Sequence, residues 1–88
     1  MRALMTLKKM KELVLKEFSS SFHDDAPPEH KIRKCPGRPN RHFYVYWIDG
    51  QIEHRETYFV YSGHPIGTAL LAYSEKRYAP WERWIEER

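Results

Sequence analysis

Asp49-Gly50 stands between two stretches built for strands, Phe43-Tyr44-Val45-Tyr46-Trp47-Ile48 before it and residues 52–61 after it. Aromatic and β-branched residues at alternating positions on both sides of such a dipeptide predict an antiparallel hairpin. Asp-Gly suits a type I′ turn, in which both central residues take positive φ. That turn sets the register and puts Trp47 opposite Ile52, Val45 opposite His54 and Phe43 opposite Glu56. Phe43, Val45, Trp47 and Ile52 then share a face that asks for a core. Tyr44, Tyr46 and Ile48 lie on the other, more exposed face beside Gln51, Glu53 and Arg55, where the guanidinium of Arg55 stacks on or near the tyrosines.

The flanking segments say what covers the core face. Leu7, Met10, Val14 and Phe18 recur at helical spacing, with Leu13 alongside, which predicts an amphipathic helix over 6–20 with Thr6 as N-cap. The serines at 19–21 end it, and Pro27-Pro28 belong to a linker over 23–29. Residues 30–35 read as a short strand with Ile32 and Cys35 as its apolar members. Pro36, Gly37, Pro39 and Asn40 make the next segment a loop. Gly63-His64-Pro65 reads as the opening of a second helix, with Ile66, Ala69, Leu70 and Tyr73 as its apolar stripe. Pro80 opens a last short helix with Trp81, Trp84 and Ile85 on one side. The expectation is one α+β domain over 1–88: an N-terminal helix, a small antiparallel sheet of two or three strands, and one or two C-terminal helices over one sheet face.

Charge points to a class of partner. Lys31, Arg33, Lys34, Arg38 and Arg41 fall between residues 31 and 42 with no acid among them, and this run leads straight into the hairpin. The N-terminal segment adds Arg2, Lys8, Lys9, Lys11 and Lys16 against Glu12 and Glu17, whereas the C-terminal end is balanced. The net charge of +3 is therefore concentrated in the first half of the chain. A cationic loop beside a rigid sheet suits a nucleic-acid backbone, and equally an acidic protein or a plainly solvated face. The candidate nucleic-acid ligands are Lys31, Arg33, Lys34, Arg38, Asn40, Arg41 and His42, with Lys8 and Lys9 on the first helix and Arg55 on the hairpin. Tyr44 and Tyr46 are a candidate aromatic surface for stacking bases, the competing reading being that tyrosine simply packs well in strands.

Other chemistries lack a signature. Cys35 is the single cysteine, which excludes an intramolecular disulfide and suggests a reducing, cytoplasmic setting. No base partner for it as a nucleophile can be named. The five histidines show no helical i, i+4 pair and there is no CxxC, so no metal site and no cofactor is expected. His42 and His54 fall on adjacent strands but on opposite faces. Glu53 and Glu56 likewise point apart, so they form no carboxylate pair and no enzymatic activity is expected. No apolar run approaches the ~20 residues of a membrane span, and lysines interrupt the N-terminal apolar residues, unlike a signal peptide.

The element order and several motifs resemble the double-stranded RNA-binding domain, with its α-β-β-β-α pattern, over roughly residues 6–78. Pro28-Glu29-His30 before Ile32 resembles that family's entry into the first strand. Gly37-Arg38-Pro39-Asn40-Arg41-His42-Phe43 is similar to its Gly-Pro-x-His loop. Val45 and Trp47 match its alternating core positions, and Ala69 and Ala72 its last helix. The resemblance implies recognition of A-form RNA by shape: the first helix in one minor groove, the loop 36–42 in the next, and the start of the last helix on the phosphates between them. Where the family carries a lysine cluster at that helix start, this chain has Ser62-Gly63-His64-Pro65-Ile66-Gly67-Thr68, so it resembles a degenerate member.

Two functions follow as expectations. The first is a small non-enzymatic protein binding the backbone of duplex RNA or DNA through the basic loop. The second is a protein-binding adaptor or inhibitor, of the kind mobile elements encode, using the aromatic sheet face and the tryptophan-bearing terminal helix. A homodimer is compatible with either.

Overall fold

The computed structural model describes residues 5–63 and 67–78. One helix, α1 (Leu7–Ser20), precedes four strands: β1 (Lys31–Lys34), β2 (His42–Asp49), β3 (Ile52–Tyr61) and β4 (Thr68–Tyr78). The strands form one antiparallel meander in the order β1-β2-β3-β4. The α+β class and the N-terminal helix agree with expectation.

Helix α1 begins where the sequence says it should. The Thr6 side chain accepts a hydrogen bond from the Lys9 amide at 3.1 Å, satisfying one of the open donors of the first turn. Met10, Val14 and Phe18, four residues apart, form its buried stripe. The Ser20 and Ser21 hydroxyls bend back to the Glu17 and Phe18 carbonyls, both at 2.7 Å, where the helix stops. The stripe meets Phe43 and Val45 from β2, Tyr58 and Val60 from β3 and Ala69 from β4. Ile32 and Trp47 pack against the same cluster. Burying a side chain as large as Phe18 contributes about 2–3 kcal/mol relative to leaving it in water.

The hairpin forms with a different register. Asp49 pairs with Ile52, Trp47 with His54 and Val45 with Glu56. The central turn residues are thus Gly50 and Gln51. Gly50 has φ +64° and no non-glycine residue among the described residues has positive φ, which is the type II′ pattern with glycine first. The shift is two residues. Because side chains alternate with period two, every residue stays on its expected face.

The second helix is the main correction. Residues 68–78 form β4, so the sheet has four strands where two or three were expected. The apparent helical stripe has a local cause. A bulge shifts the register between Thr57↔Tyr73 and Tyr58↔Leu71, leaving Ala72 without an opposite residue. Leu70 and Tyr73, three apart, therefore share a face within a strand and mimic a helical repeat. The deciding force is non-local. Without β4, ten residues of β3 would present one unpaired backbone edge, and pairing satisfies those groups. Gly67, with φ +79°, makes the approach to β4, and a Cβ there would lie 2.7 Å from the Met5 methyl and 3.2 Å from Leu13 Cδ1. The expected start of that helix at 64–66 and the tryptophan-bearing helix after Pro80 lie outside the described residues.

Candidate nucleic-acid interface

Strand pairing places the basic residues one by one. Lys31 pairs with Tyr46 and Arg33 with Tyr44, so both lie on the sheet face turned away from α1. Lys34 pairs with Phe43 and falls on the α1 side. Arg38 and Asn40 are exposed in the loop, and Arg41 and His42 are half-buried where the loop enters β2. The loop is fixed by its backbone: the Cys35 amide donates to the His42 carbonyl at 3.0 Å, the His42 amide to Pro39 at 3.1 Å and the Val60 amide to Arg41 at 2.8 Å. Gly37, with φ +69°, allows the tight turn. The cations thus sit on the edge strand β1 and on an ordered loop beside it.

No carboxylate among the described residues forms an ion pair with Lys31, Arg33, Lys34, Arg38 or Arg41. Two buried ring or guanidinium nitrogens at the loop's end, Arg41 Nη1 and His42 Nδ1, have no hydrogen-bond partner among the described residues. A buried polar atom left unmade costs about 1–3 kcal/mol. The His42 ring lies against Phe59, with centroids 5.1 Å apart.

Three candidates are displaced from this group. Arg55 is only 2% exposed and its Nε donates to Glu53 Oε2 at 2.9 Å. Its guanidinium lies 5.0 Å from the Tyr44 ring centre and 5.9 Å from that of Tyr46, the stacking expected of it. Burial and pairing make it an internal strut and remove it from a phosphate-binding surface. Lys8 and Lys9 are exposed on α1, across the sheet from Arg33 and Tyr44, and so belong to a different surface.

The aromatic face also differs from expectation. Tyr44 is 1% exposed and Tyr46 half-buried, their rings 5.6 Å apart. Glu53 and Thr57 beside them are buried as well. The centre of this face is therefore closed, and Tyr44 offers no ring to a base. Burial pushes the Tyr44 hydroxyl above the ordinary tyrosine range, against the opposing pull of Arg55 and Arg33. Sequence reasoning missed this because alternation assigns a face and says nothing of how deeply that face is covered.

Cys35 is a free thiol, buried next to the loop. Burial raises its pKa, and Arg38, Lys34 and Arg55 offset this only in part. It is held as a neutral thiol, a poor nucleophile. Tyr58 is buried in the core, and its hydroxyl donates to Glu56 Oε1 at 2.7 Å. His30 packs on Phe18 at 4.6 Å, with Nδ1 2.6 Å from the Pro28 carbonyl. His42 and His54 do lie on opposite faces, and the described residues contain no group of three or more His, Cys, Asp or Glu side chains placed to hold a metal ion. No helix among the described residues is long and apolar enough to cross a membrane.

No family model, curated protein or solved structure matches this chain, and nothing among them identifies a double-stranded RNA-binding domain.

Proposed function

We propose that this chain is a small non-enzymatic protein that binds the phosphate backbone of nucleic acid through β1 and the loop that follows it. The observation that carries the reading is the edge formed by Lys31, Arg33, Lys34, Arg38 and Arg41, ordered by backbone hydrogen bonds and without a carboxylate partner among the described residues. Phosphates are neutralised by such cations, and a pinned loop spends little entropy in meeting them. Asn40, exposed in the loop, supplies directional hydrogen bonds beside the charge. Duplex RNA read by shape is the ligand the domain resemblance offers, with the loop 36–42 in a groove. β4 stands where the α-β-β-β-α order has its last helix, so the phosphate clamp of that pattern is not carried over. A reducing, cytoplasmic setting suits the single buried thiol.

Salt titration of binding to labelled duplex RNA, duplex DNA and single strands tests the proposal. The plot of log affinity against log salt should fall by about 0.9 per phosphate contact on duplex DNA. Changing Arg38 and Arg41 together to Ala should reduce that slope by about 2 and weaken every sequence alike, while Lys8→Ala with Lys9→Ala leaves it unchanged. Absence of binding at low salt overturns the reading.

A second reading has its own observation. β4 is an eleven-residue edge strand on which Leu70 is 52% and Leu71 51% exposed, with Tyr73 exposed beside them. Such an edge suits strand addition by a protein partner or a second copy. Concentration-dependent mass by light scattering, abolished by Leu71→Lys, would support it.

A further inference from the structure

The sheet face turned away from α1 is dry at its centre. The stripe of α1 meets Phe43, Val45, Tyr58, Val60 and Ala69, which all lie on the other face. An antiparallel sheet packed on one side commonly shows solvated polar residues on its second side. Here Tyr44, Glu53, Arg55 and Thr57, all on that second side, are buried. No helix or strand among the described residues lies over them. The Arg55–Glu53 hydrogen bond pairs the two charges but does not by itself shut out water, so this depth calls for a covering layer. At the margins of the patch Ile48 and Leu70 stay exposed.

The sequence that continues past β4 has the chemistry and the reach to be that layer. Residues 79–88 hold Trp81, Trp84 and Ile85 at the spacing of one helical side, with Glu82, Glu86 and Glu87 off it. Each indole can cover roughly 200 Å². Pro80 has no amide to donate to a ladder, which favours leaving the sheet after Tyr78. Lys31, Tyr46, Arg55 and Glu75 form a row across the sheet, and Tyr78 stands further along β4 towards the hairpin end, opposite Ile52. From Tyr78 to Lys31 is about 17 Å, given the usual strand spacing and rise. Two extended residues followed by eight helical ones span about 19 Å. Charge agrees, since Lys31 and Arg33 are exposed on this face and form no ion pair with a carboxylate among the described residues.

We infer that residues 79–88 dock across this face of their own chain, with Trp81 and Trp84 over Tyr44, Tyr46 and Arg55 and with Glu86 and Glu87 beside Lys31. The acidic end then competes with phosphate for the edge of β1. That competition rests on the nucleic-acid reading above, whereas the docking does not.

Paramagnetic broadening in the full chain tests the docking. A nitroxide is attached at Lys31→Cys in a Cys35→Ser background, with Arg33→Cys on the same face as the alternative should the first variant fail to give dispersed amide signals. The indole N–H signals of Trp81 and Trp84 should lose most of their intensity. With the nitroxide at Lys8→Cys, across the sheet on α1, they should keep it. Full intensity with the label on the β1 face, or equal loss with both labels, overturns the inference. A mixture of isotope-labelled chain and separately spin-labelled chain identifies the other occupant: loss of intensity there assigns the face to a second copy and equally overturns it. A binding measurement then checks the acidic end. Glu86→Gln with Glu87→Gln should raise affinity for duplex RNA or DNA several-fold at low salt. Unchanged affinity in a chain that binds overturns the placement of Glu86 and Glu87 beside Lys31. Absence of binding by every variant overturns the nucleic-acid reading and leaves the broadening result standing, so the two failures are distinct.

Discussion

Single side chains decide which charges face water. Arg55 looked like another phosphate ligand by composition, yet it lies inside the sheet face between Glu53, Tyr44 and Tyr46. A buried ion pair adds little by itself, but removing one partner withdraws compensation from a charge held out of water. Glu53→Ala should therefore destabilise the fold by roughly 3 kcal/mol, read from urea denaturation followed by circular dichroism. Tyr58 gives a pH dependence. Burial first, then its hydrogen bond to Glu56 and the charge of that carboxylate, raise its pKa. The neutral phenol is the form the fold favours, so its contribution is complete below the ordinary tyrosine pKa of about 10 and is lost as pH rises above it. Unfolding should steepen above about pH 10, and Tyr58→Phe should flatten that limb, measured by stability at a series of alkaline pH values.

At the level of elements, the outcome follows how local each signal is. α1 carries its cap, its stripe and its stop within fifteen or so residues, and all three were legible. The hairpin faces were legible too, because a register error of two leaves alternation intact. β4 was not, since a single bulged alanine turned a strand repeat into something resembling a helical one. Its junction is testable. Gly67→Ala places a Cβ at a positive φ and near Met5. The side-chain end of Met5 can move, so backbone strain dominates at about 1–2 kcal/mol, and the melting temperature should fall accordingly. A compensating methionine truncation would not restore it.

Across the whole molecule, the basic run was visible in the sequence as a charge pattern, and the fold sorted it. Lys31 and Arg33 face one side, Lys34 the other, and Arg38, Asn40 and Arg41 occupy the loop between β1 and β2. Lys8 and Lys9 were separated from them by the thickness of the sheet, so a single continuous surface of all the candidates does not form. This is why the salt slope should respond to the loop arginines and ignore the helix lysines.

The amino-acid order alone determined the features that arise within one turn or one hairpin: the helix with its threonine cap, the two faces of the ribbon and the acid-free run of cations. Tertiary structure decided the rest. It made residues 68–78 a strand because an open backbone edge on β3 needed hydrogen-bond partners. It also buried Tyr44 and Arg55, because the depth of a sheet face depends on neighbours that are distant along the chain.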